Sequence, residues 1–133
     1  MKIEVFALCD AATNSHGKLN LLGTFDQIFV PQVPVMHPSF SIALRVRFGK
    51  MEEGAHQVEL QLVDPDGSKV LPPMKGEVVP RMGADVESVA VNMIFHFHNT
   101  KFDAYADYQL NLNIDDVSVA SLPLSIREIP KNR

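Results

Sequence analysis

The amino-acid sequence predicts an all-β fold, an immunoglobulin-like antiparallel sandwich of two sheets with seven or eight strands and no significant helix. Apolar residues recur at every second position in most segments, which is the period of a strand with one buried face. Turn-forming residues separate these segments at short, regular spacing. No segment has the apolar period of an amphipathic helix, so a two-sheet sandwich follows, with a closed barrel as the alternative.

The length and composition are those of one folded domain. A chain of 133 residues is large enough to bury a core without disulfides, and we expect a single domain over residues 1–133. Hydrophobic residues make up 46% of the chain and charged residues 21%, which excludes the disordered class. The formal net charge of −4 argues against binding to nucleic acid or to an anionic membrane, because both need a basic surface.

Cysteine usage and hydropathy bear on location. The single cysteine, Cys9, cannot form an intramolecular disulfide. The N-terminal apolar run is short and is interrupted by Glu4, unlike a signal peptide. No run reaches the roughly 18 apolar residues of a membrane-spanning helix. These observations predict a cytoplasmic protein.

The first strands are predicted at residues 2–9 and 18–30, with a turn at residues 13–17 between them. The first alternates on both faces, so both faces can be covered. Gly23 lies in the middle of the second strand, where a glycine usually marks a bulge or bend. We therefore expect this stretch to cross from one sheet to the other.

Residues 31–38 contain three prolines and are predicted to form an extended loop, because proline cannot donate to a central ladder. Residues 40–48 and 56–63 follow as clear alternating strands. If the loop between them turns symmetrically about Glu52, the two strands pair directly. Arg45 then faces Glu59 and Arg47 faces Gln57, as ordinary cross-strand partners rather than a phosphate site.

The middle of the chain carries a turn and shorter elements. Residues 64–67 (DPDG) have the composition of a tight turn. Residues 68–71 and 76–79 are short strand candidates at a sheet edge, which count as one kinked strand or as two. Residues 88–98 form a long alternating strand, and residues 99–103 are predicted to be a loop.

Residues 104–126 read as a β-hairpin with one apolar face. Asp115 and Asp116 supply the turn, since aspartate tolerates the left-handed backbone that a tight hairpin requires. The apolar phase changes in the returning strand, which predicts a β-bulge near Ala120 and Ser121. Pro123 then needs an edge position or a bulge.

Tyr108 begins the first strand of this hairpin on its inward face. A tyrosine at such a corner in immunoglobulin-like sandwiches bonds back to the backbone. The hydroxyl of Tyr108 is therefore predicted to have a structural role.

Four segments together resemble a known family. They are GKLNLLGTFDQIF at residues 17–29, PxxPVMHP before an alternating strand, VDPDG at residues 63–67 and LPLSIREIP at residues 122–130. In this combination they resemble a family of small, single-domain bacterial proteins of unknown function. The resemblance covers nearly the whole chain and implies a β-sandwich and a bacterial setting. It carries no catalytic signature and therefore transfers no functional residues.

Two histidines suggest a metal pair. His96 and His98 are two positions apart on a predicted strand, so their imidazoles project from the same face and could hold one ion. Two ligands do not complete a site, and an exposed or half-packed histidine pair is the ordinary interpretation.

Loops at one end of the sandwich could gather further ligands. If consecutive strands alternate direction and residues 68–79 count as one strand, the connections meet at that end. The residues brought together are His37, Asp64, Asp66, His98 and Asp103. This mixed nitrogen and oxygen set suits a divalent metal or a small ligand. The structural alternative is that the aspartates only cap turns.

The apolar loops are candidates for protein binding, because methionine adapts to a partner and proline lowers the cost of ordering. The candidate partner-binding residues are Val33, Pro34, Val35, Met36 and Met74. Alternatively, these side chains fold back and close the open ends of the core.

The sequence contains no nucleophile elbow, Walker loop, dinucleotide-binding glycine pattern, HExxH or paired CxxC. Cys9 lies on an alternating strand without an activating group and is predicted to be a buried hydrophobe. We expect a non-enzymatic interaction or assembly module without a cofactor, acting on a protein partner or as a homo-oligomer. The alternative is a small-ligand or divalent-metal-binding sandwich that uses the His/Asp end, and catalysis is the least favoured class.

Overall fold

The computed structural model describes residues 1–130, which form two β-sheets packed face to face. The described strands are β1 (Lys2–Ser15), β2 (Lys18–Thr24), β3 (Gln27–Val30), β4 (Val35–Gly49), β5 (His56–Val63), β6 (Met74–Val78), β7 (Ser88–Phe102), β8 (Asp107–Ile114) and β9 (Val117–Glu128). One sheet has the order β2-β1-β4-β7 and the other the order β3-β9-β8-β5-β6. The predicted all-β, two-sheet sandwich is confirmed, although β3 and β9 pair in parallel.

The inner faces of the two sheets enclose the main core, because alternation gives each strand one face of large apolar side chains. The inward residues predicted for β4 are all buried: Phe40, Ile42, Leu44, Val46 and Phe48. The rings of Phe40 and Phe97 stack with their centroids 4.7 Å apart, which ties β4 to β7. In the other sheet the core side chains of β5 and β8 include Leu60, Leu62, Leu110 and Leu112.

The predicted second strand divides at Gly23, as expected. Gly23 has a φ of 67°, and β2 ends at Thr24 in the four-stranded sheet. The chain then enters the other sheet as β3, paired with β9. The left-handed backbone at Gly23 favours glycine, and a Cβ atom at position 23 would also displace the carboxylate of Asp10, whose oxygen would lie 2.6 Å away. The prediction that this stretch crosses between sheets is confirmed.

β1 is longer than predicted and changes its main partner strand at Cys9. It pairs with β4 as far as Cys9 and with β2 from Cys9 onward. The far end of the β1–β2 hairpin folds over the outer face of its own sheet. There the side-chain amide of Asn92 donates to the Asn14 side chain and to the Gly17 carbonyl, each at 3.2 Å. This cover buries Cys9 and Ala43 on the outer face.

The β8–β9 hairpin follows its sequence closely. Asp115 and Asp116 have φ values of 52° and 64°, the left-handed pair of a type I′ turn. The register shifts after Leu112, which pairs with Ala120, so the bulge lies at Val119, next to the predicted position. Pro123 pairs with β8, while the pairing of β9 with β3 begins only at Ser125. Pro123 thus occupies a locally unpaired edge, as required.

Tyr108 closes the corner that precedes this hairpin. The side chain of Tyr108 is buried, and its hydroxyl donates to the carbonyl of Ala104 at 3.0 Å, which confirms the predicted structural role. We expect Tyr108→Phe to lower the free energy of unfolding by about 1 kcal/mol, because the Ala104 carbonyl loses its hydroxyl donor. Urea unfolding measures the loss, and Tyr105→Phe is the matched control because Tyr105 makes only a longer bond of 3.4 Å to Val30. Equal effects of the two substitutions would contradict the corner role.

Two predicted loops are partly wrong. β4 begins at Val35 and β7 continues to Phe102, so the second half of residues 31–38 and most of residues 99–103 are paired strand. The ladder skips only Pro38, which lacks an N–H, and the facing Asn99, which has a φ of 52°. β4 has β7 as its sole strand neighbour at this point in the described chain, since β1 pairing stops at Ser41. A proline is tolerated there because this part of β4 has a strand on one side only and the ladder is interrupted at Pro38 and Asn99.

The segment at residues 68–79 contains one strand, β6, at the edge of the five-stranded sheet. Residues 68–71, a strand candidate, do not form a strand. Their one β-bridge within the described chain joins Lys69 to Val63. The DPDG turn is confirmed: the side chain of Asp64 accepts the N–H groups of Asp66 and Ser68, both at 2.9 Å.

The predicted partners of the two arginines are wrong, because β4 and β5 lie in different sheets. Arg45 and Arg47 instead bind the carboxylate of Glu4 on β1 through their Nε atoms, at 2.9 and 2.7 Å. The hydrogen bond from Arg47, with a smaller one from Arg45, holds the pKa of Glu4 below its usual value. The arginines are therefore cross-strand partners, but of β1.

Candidate functional site

The outer edge of β7 differs from the other sheet edges of the described chain. β2, β3 and β6 have 7, 4 and 5 residues, whereas β7 has 15. Natural edge strands are protected from further pairing by shortness, prolines, bulges or charged residues. β7 has neither proline nor glycine, and its only formally charged residue is Lys101, near its end. It is therefore the least protected edge.

Main-chain groups of β7 point toward this edge. The N–H of Lys50 donates to the carbonyl of Glu87 at 3.1 Å, next to the terminal ladder pair of Gly49 with Ser88. Because successive residues of a strand direct their main chain to opposite sides, odd-numbered residues bond to β4 and even-numbered ones face outward. Between Ser88 and His98 the outward set is Ser88, Ala90, Asn92, Ile94, His96 and His98. Within residues 1–130, no backbone hydrogen bond to this edge is formed.

Apolar surface accompanies the edge. On the inward face of β7, Val89, Val91 and Met93 are only half-buried, although Phe95 and Phe97 are buried. A groove of about 410 Å³ lies beside the other end of the strand. We call it the β7 groove, and it is lined by Val70, Leu71, Met74 and residues 96–101. An added strand would find both unpaired main chain and apolar side chains here.

The predicted partner-binding residues separate into three environments. Val33 and Val35 pack partly against the core, as the alternative of core closure predicts. Pro34 and Met36 are exposed, Met36 by 58%. Met74 also touches the core and lines the β7 groove. Of the predicted set, Met74 is the residue that lies beside the unpaired edge.

The predicted ligand residues lie at one end of the sandwich but do not converge. Asp64, Asp66 and Asp103 line a cleft of about 460 Å³ together with Lys69 and Lys101. One carboxylate oxygen of Asp64 is occupied by the turn, and Asp103 lies 3.6 Å from the ammonium of Lys101. Charges of both signs make the cleft suited to a small polar ligand rather than to a bare cation.

The histidines lie away from that cleft. His98 lines the β7 groove, and His37 packs against the ring of Phe40, where burial lowers the pKa of the imidazole. His96 and His98 do share a face, with ring centroids 6.3 Å apart, and His96 is 3.0 Å from the hydroxyl of Ser41. In the part of the chain that the structure describes, no three His, Cys, Asp or Glu side chains could hold a metal ion together.

Cys9 has the environment of a structural residue. It is fully buried under the β1–β2 hairpin, and its Sγ lies 3.6 Å from the carbonyl of Ser41. Burial raises the pKa of the thiol, so the reactive thiolate is disfavoured. This environment agrees with the predicted buried hydrophobe.

Sequence reasoning recognised β7 as a strand but missed it as a site. The available signal was a run of 11 residues, Ser88 to His98, without a formally charged residue, proline or glycine. Such a run is also typical of a central strand, and only the strand order shows that β7 is at an edge.

Comparison with known proteins identifies the family. A family model described as a family of unknown function (DUF6941) matches residues 4–127, and the chain belongs to that family. No curated protein matches the chain. The described residues include no helix that is long and apolar enough to cross a membrane.

Proposed function

We propose that this member of the DUF6941 family is a non-enzymatic protein-interaction module that binds a β-strand of a protein partner along the outer edge of β7. The observation that carries the proposal is the unpaired main chain of a 15-residue edge strand without the usual protection. Strand addition supplies affinity through main-chain hydrogen bonds and specificity through alternate side chains. The β7 groove beside the edge provides an apolar pocket for such side chains.

The charge pattern supports a protein strand as the occupant. Residues 88–98 contain no formally charged side chain, so a nucleic acid would find no cation there. The partner's apolar residues would cover the half-buried Val89, Val91 and Met93. Burial of this kind contributes about 25 cal/mol per Å² of apolar surface.

A proline at position 96 tests the proposal. His96 directs its N–H to the free edge, so His96→Pro removes a donor to the partner while leaving the β4–β7 ladder intact. His96→Ala is the matched control, because it also loses the contact with Ser41 but keeps the N–H. A photoreactive amino acid at position 98 reports neighbours of the edge in living cells, and one at Glu77 on β6 reports background.

The expected result is a specific crosslinked product at position 98 that persists in His96→Ala and falls about tenfold or more in His96→Pro. Thermal unfolding of both variants serves to check that they remain folded. If the product is unaffected by proline in a folded variant, the β7 edge is not the binding site and the proposal is wrong.

Small-ligand binding in the cleft of Asp64, Asp66 and Asp103 is the second candidate, and it rests on the volume of the cleft and on its mixed charges. Native mass spectrometry of protein purified without a chelator distinguishes it. A stoichiometric added mass that is lost in Asp66→Ala would favour the cleft over the edge.

A further inference from the structure

We propose that the strand added to β7 is β7 of a second copy, antiparallel to the first about a two-fold axis that passes midway between the two Ile94 residues. This inference rests on the proposed function, since it names the occupant of the same edge. The two four-stranded sheets would then join into one continuous sheet of eight strands. An isologous contact of this kind closes after two subunits.

Side-chain sizes along β7 are complementary under this symmetry. The half-buried residues Val89, Val91 and Met93 occupy one half of the strand and Phe95 and Phe97 the other. A two-fold axis at Ile94 places Phe97 opposite Val91 of the second copy and Phe95 opposite its Met93. Pairs of an aromatic with a β-branched residue are among the favourable cross-strand contacts.

Charges at the ends of the strand are complementary as well. Lys101 is the only formally charged residue of β7, and Glu87 immediately precedes the strand. Both residues are exposed. With the axis at Ile94, Lys101 of each copy lies opposite Glu87 of the other copy. The same register brings Val86, which is 42% exposed, to the end of the strand that carries the β7 groove.

The β1–β2 hairpin favours this register over the neighbouring register with its axis at Met93. Its tip is fixed over Asn92 by the bonds to Asn14 and Gly17. With the axis at Ile94, Asn92 faces His96 of the second copy, so the two tips are offset by about 13 Å along the strands. An axis at Met93 would reduce the offset to about 7 Å, less than the roughly 10 Å width of a hairpin with its side chains. The tips would collide in that register.

Paired cysteines test both the partner and the register. Ala90 lies opposite His98 of the second copy in the proposed dimer, at the Cα spacing of about 5.5 Å of a hydrogen-bonded pair. In a Cys9→Ala background, Ala90→Cys with His98→Cys should give a covalent dimer upon oxidation or with a short bis-alkylating reagent. Within one chain these positions are about 27 Å apart, so they can be bridged only between copies.

The control is Ala90→Cys with His96→Cys, which reports the colliding register and differs at one position. Upon oxidation we expect the 90/98 pair to give about tenfold more disulfide-linked dimer than the 90/96 pair, because cysteines whose Cα atoms are more than about 7 Å apart cannot be bridged by a disulfide. Size-exclusion chromatography with light scattering should show a dimer for the protein without substitutions and for His96→Ala, and a monomer for His96→Pro.

The outcomes separate this inference from the proposed function. A dimer that crosslinks through 90/98 supports it, and a dimer that crosslinks through 90/96 or ignores His96→Pro overturns it. A strict monomer also overturns it. If the protein is a monomer but the cellular crosslink at position 98 is lost in His96→Pro, the strand-binding function is still supported. The partner is then another protein. Loss of both signals would remove the function as well.

Discussion

Phe40→Ala is expected to lower the free energy of unfolding by about 3–5 kcal/mol, the largest effect of any substitution considered for this chain. Phe40 is only 1% exposed and stacks on Phe97, while the ring of Phe25 packs edge-on at 6.3 Å. Truncation removes the contacts that join β4, β7 and the crossing between the two sheets. The loss includes a cavity term, because the strands around the ring are fixed by their ladders.

Phe29→Ala is the matched control for this prediction. Phe29 lies on the outer face of β3 and is 51% exposed, so the same change in side chain should cost well under 1 kcal/mol. Urea unfolding followed by circular dichroism measures both variants, and the slope against urea concentration should stay constant if only stability changes. Similar losses at the two positions would contradict the assignment of the core.

Local features of the fold were predictable because they depend on neighbouring residues. The type I′ turn follows from two aspartates between alternating strands, and the corner bond of Tyr108 follows from its place at a strand start. The bend at Gly23 was predictable for the same reason. Each of these depends on backbone preferences within a few residues.

Features that depend on strand order were not predictable. A direct β4–β5 hairpin was expected, but the chain between them crosses to the other sheet, so Arg45 and Arg47 meet Glu4 instead. The extension of β4 through Pro38 requires a partner strand with a left-handed residue opposite, a pairing over more than 60 positions. No local pattern carries that information.

The candidate site shows the same division. Alternation placed His96 and His98 correctly on one face, and composition placed Met74 in an apolar setting. The gathering of His37 and His98 with the aspartates assumed a simple up-and-down order of strands. The actual order puts the aspartates in one cleft and His98 in the β7 groove. The unpaired edge depends on the strand order, which the alternation of apolar residues along one strand does not reveal.

His56 is the basis of the second large prediction. Its Nδ1 lies 2.6 Å from the carboxylate of Asp115 and its Nε2 lies 2.6 Å from the carbonyl of Glu52. A carboxylate and a carbonyl only accept hydrogen bonds, so the ring donates from both nitrogens and is an imidazolium. The bond to the Glu52 carbonyl, followed by the bond to Asp115, raises the pKa of His56 above its usual 6.5. The ring also stacks on Phe48 at 4.7 Å.

The direction of the pH dependence follows from this raised pKa. A group that binds its proton more tightly in the folded state stabilises the protein fully below its unfolded pKa, here about 6.5. That contribution is lost as the pH rises through the folded pKa of His56. The pKa of Asp115 is lowered, chiefly by the bond to His56, so its contribution is present above about 3.8 and is lost as the pH falls. The pair therefore stabilises the fold most between these two values.

His56→Ala should accordingly lower the free energy of unfolding by about 2 kcal/mol at pH 6, and by less at pH 9. The figure stays moderate because the Asp115 side chain is 48% exposed and is screened by solvent. Urea unfolding at a series of pH values measures the difference, and His98→Ala, an exposed histidine at the other end of the sandwich, is the control. His56→Ala and the protein without substitutions differ in their free energy of unfolding. If this difference does not shrink above pH 6.5, the ring is not charged in the folded state. The stabilisation by His56 would then come only from the packing of its ring on Phe48. A difference that shrinks as expected would mean that protonation of one side chain ties the start of β5 to the β8–β9 turn.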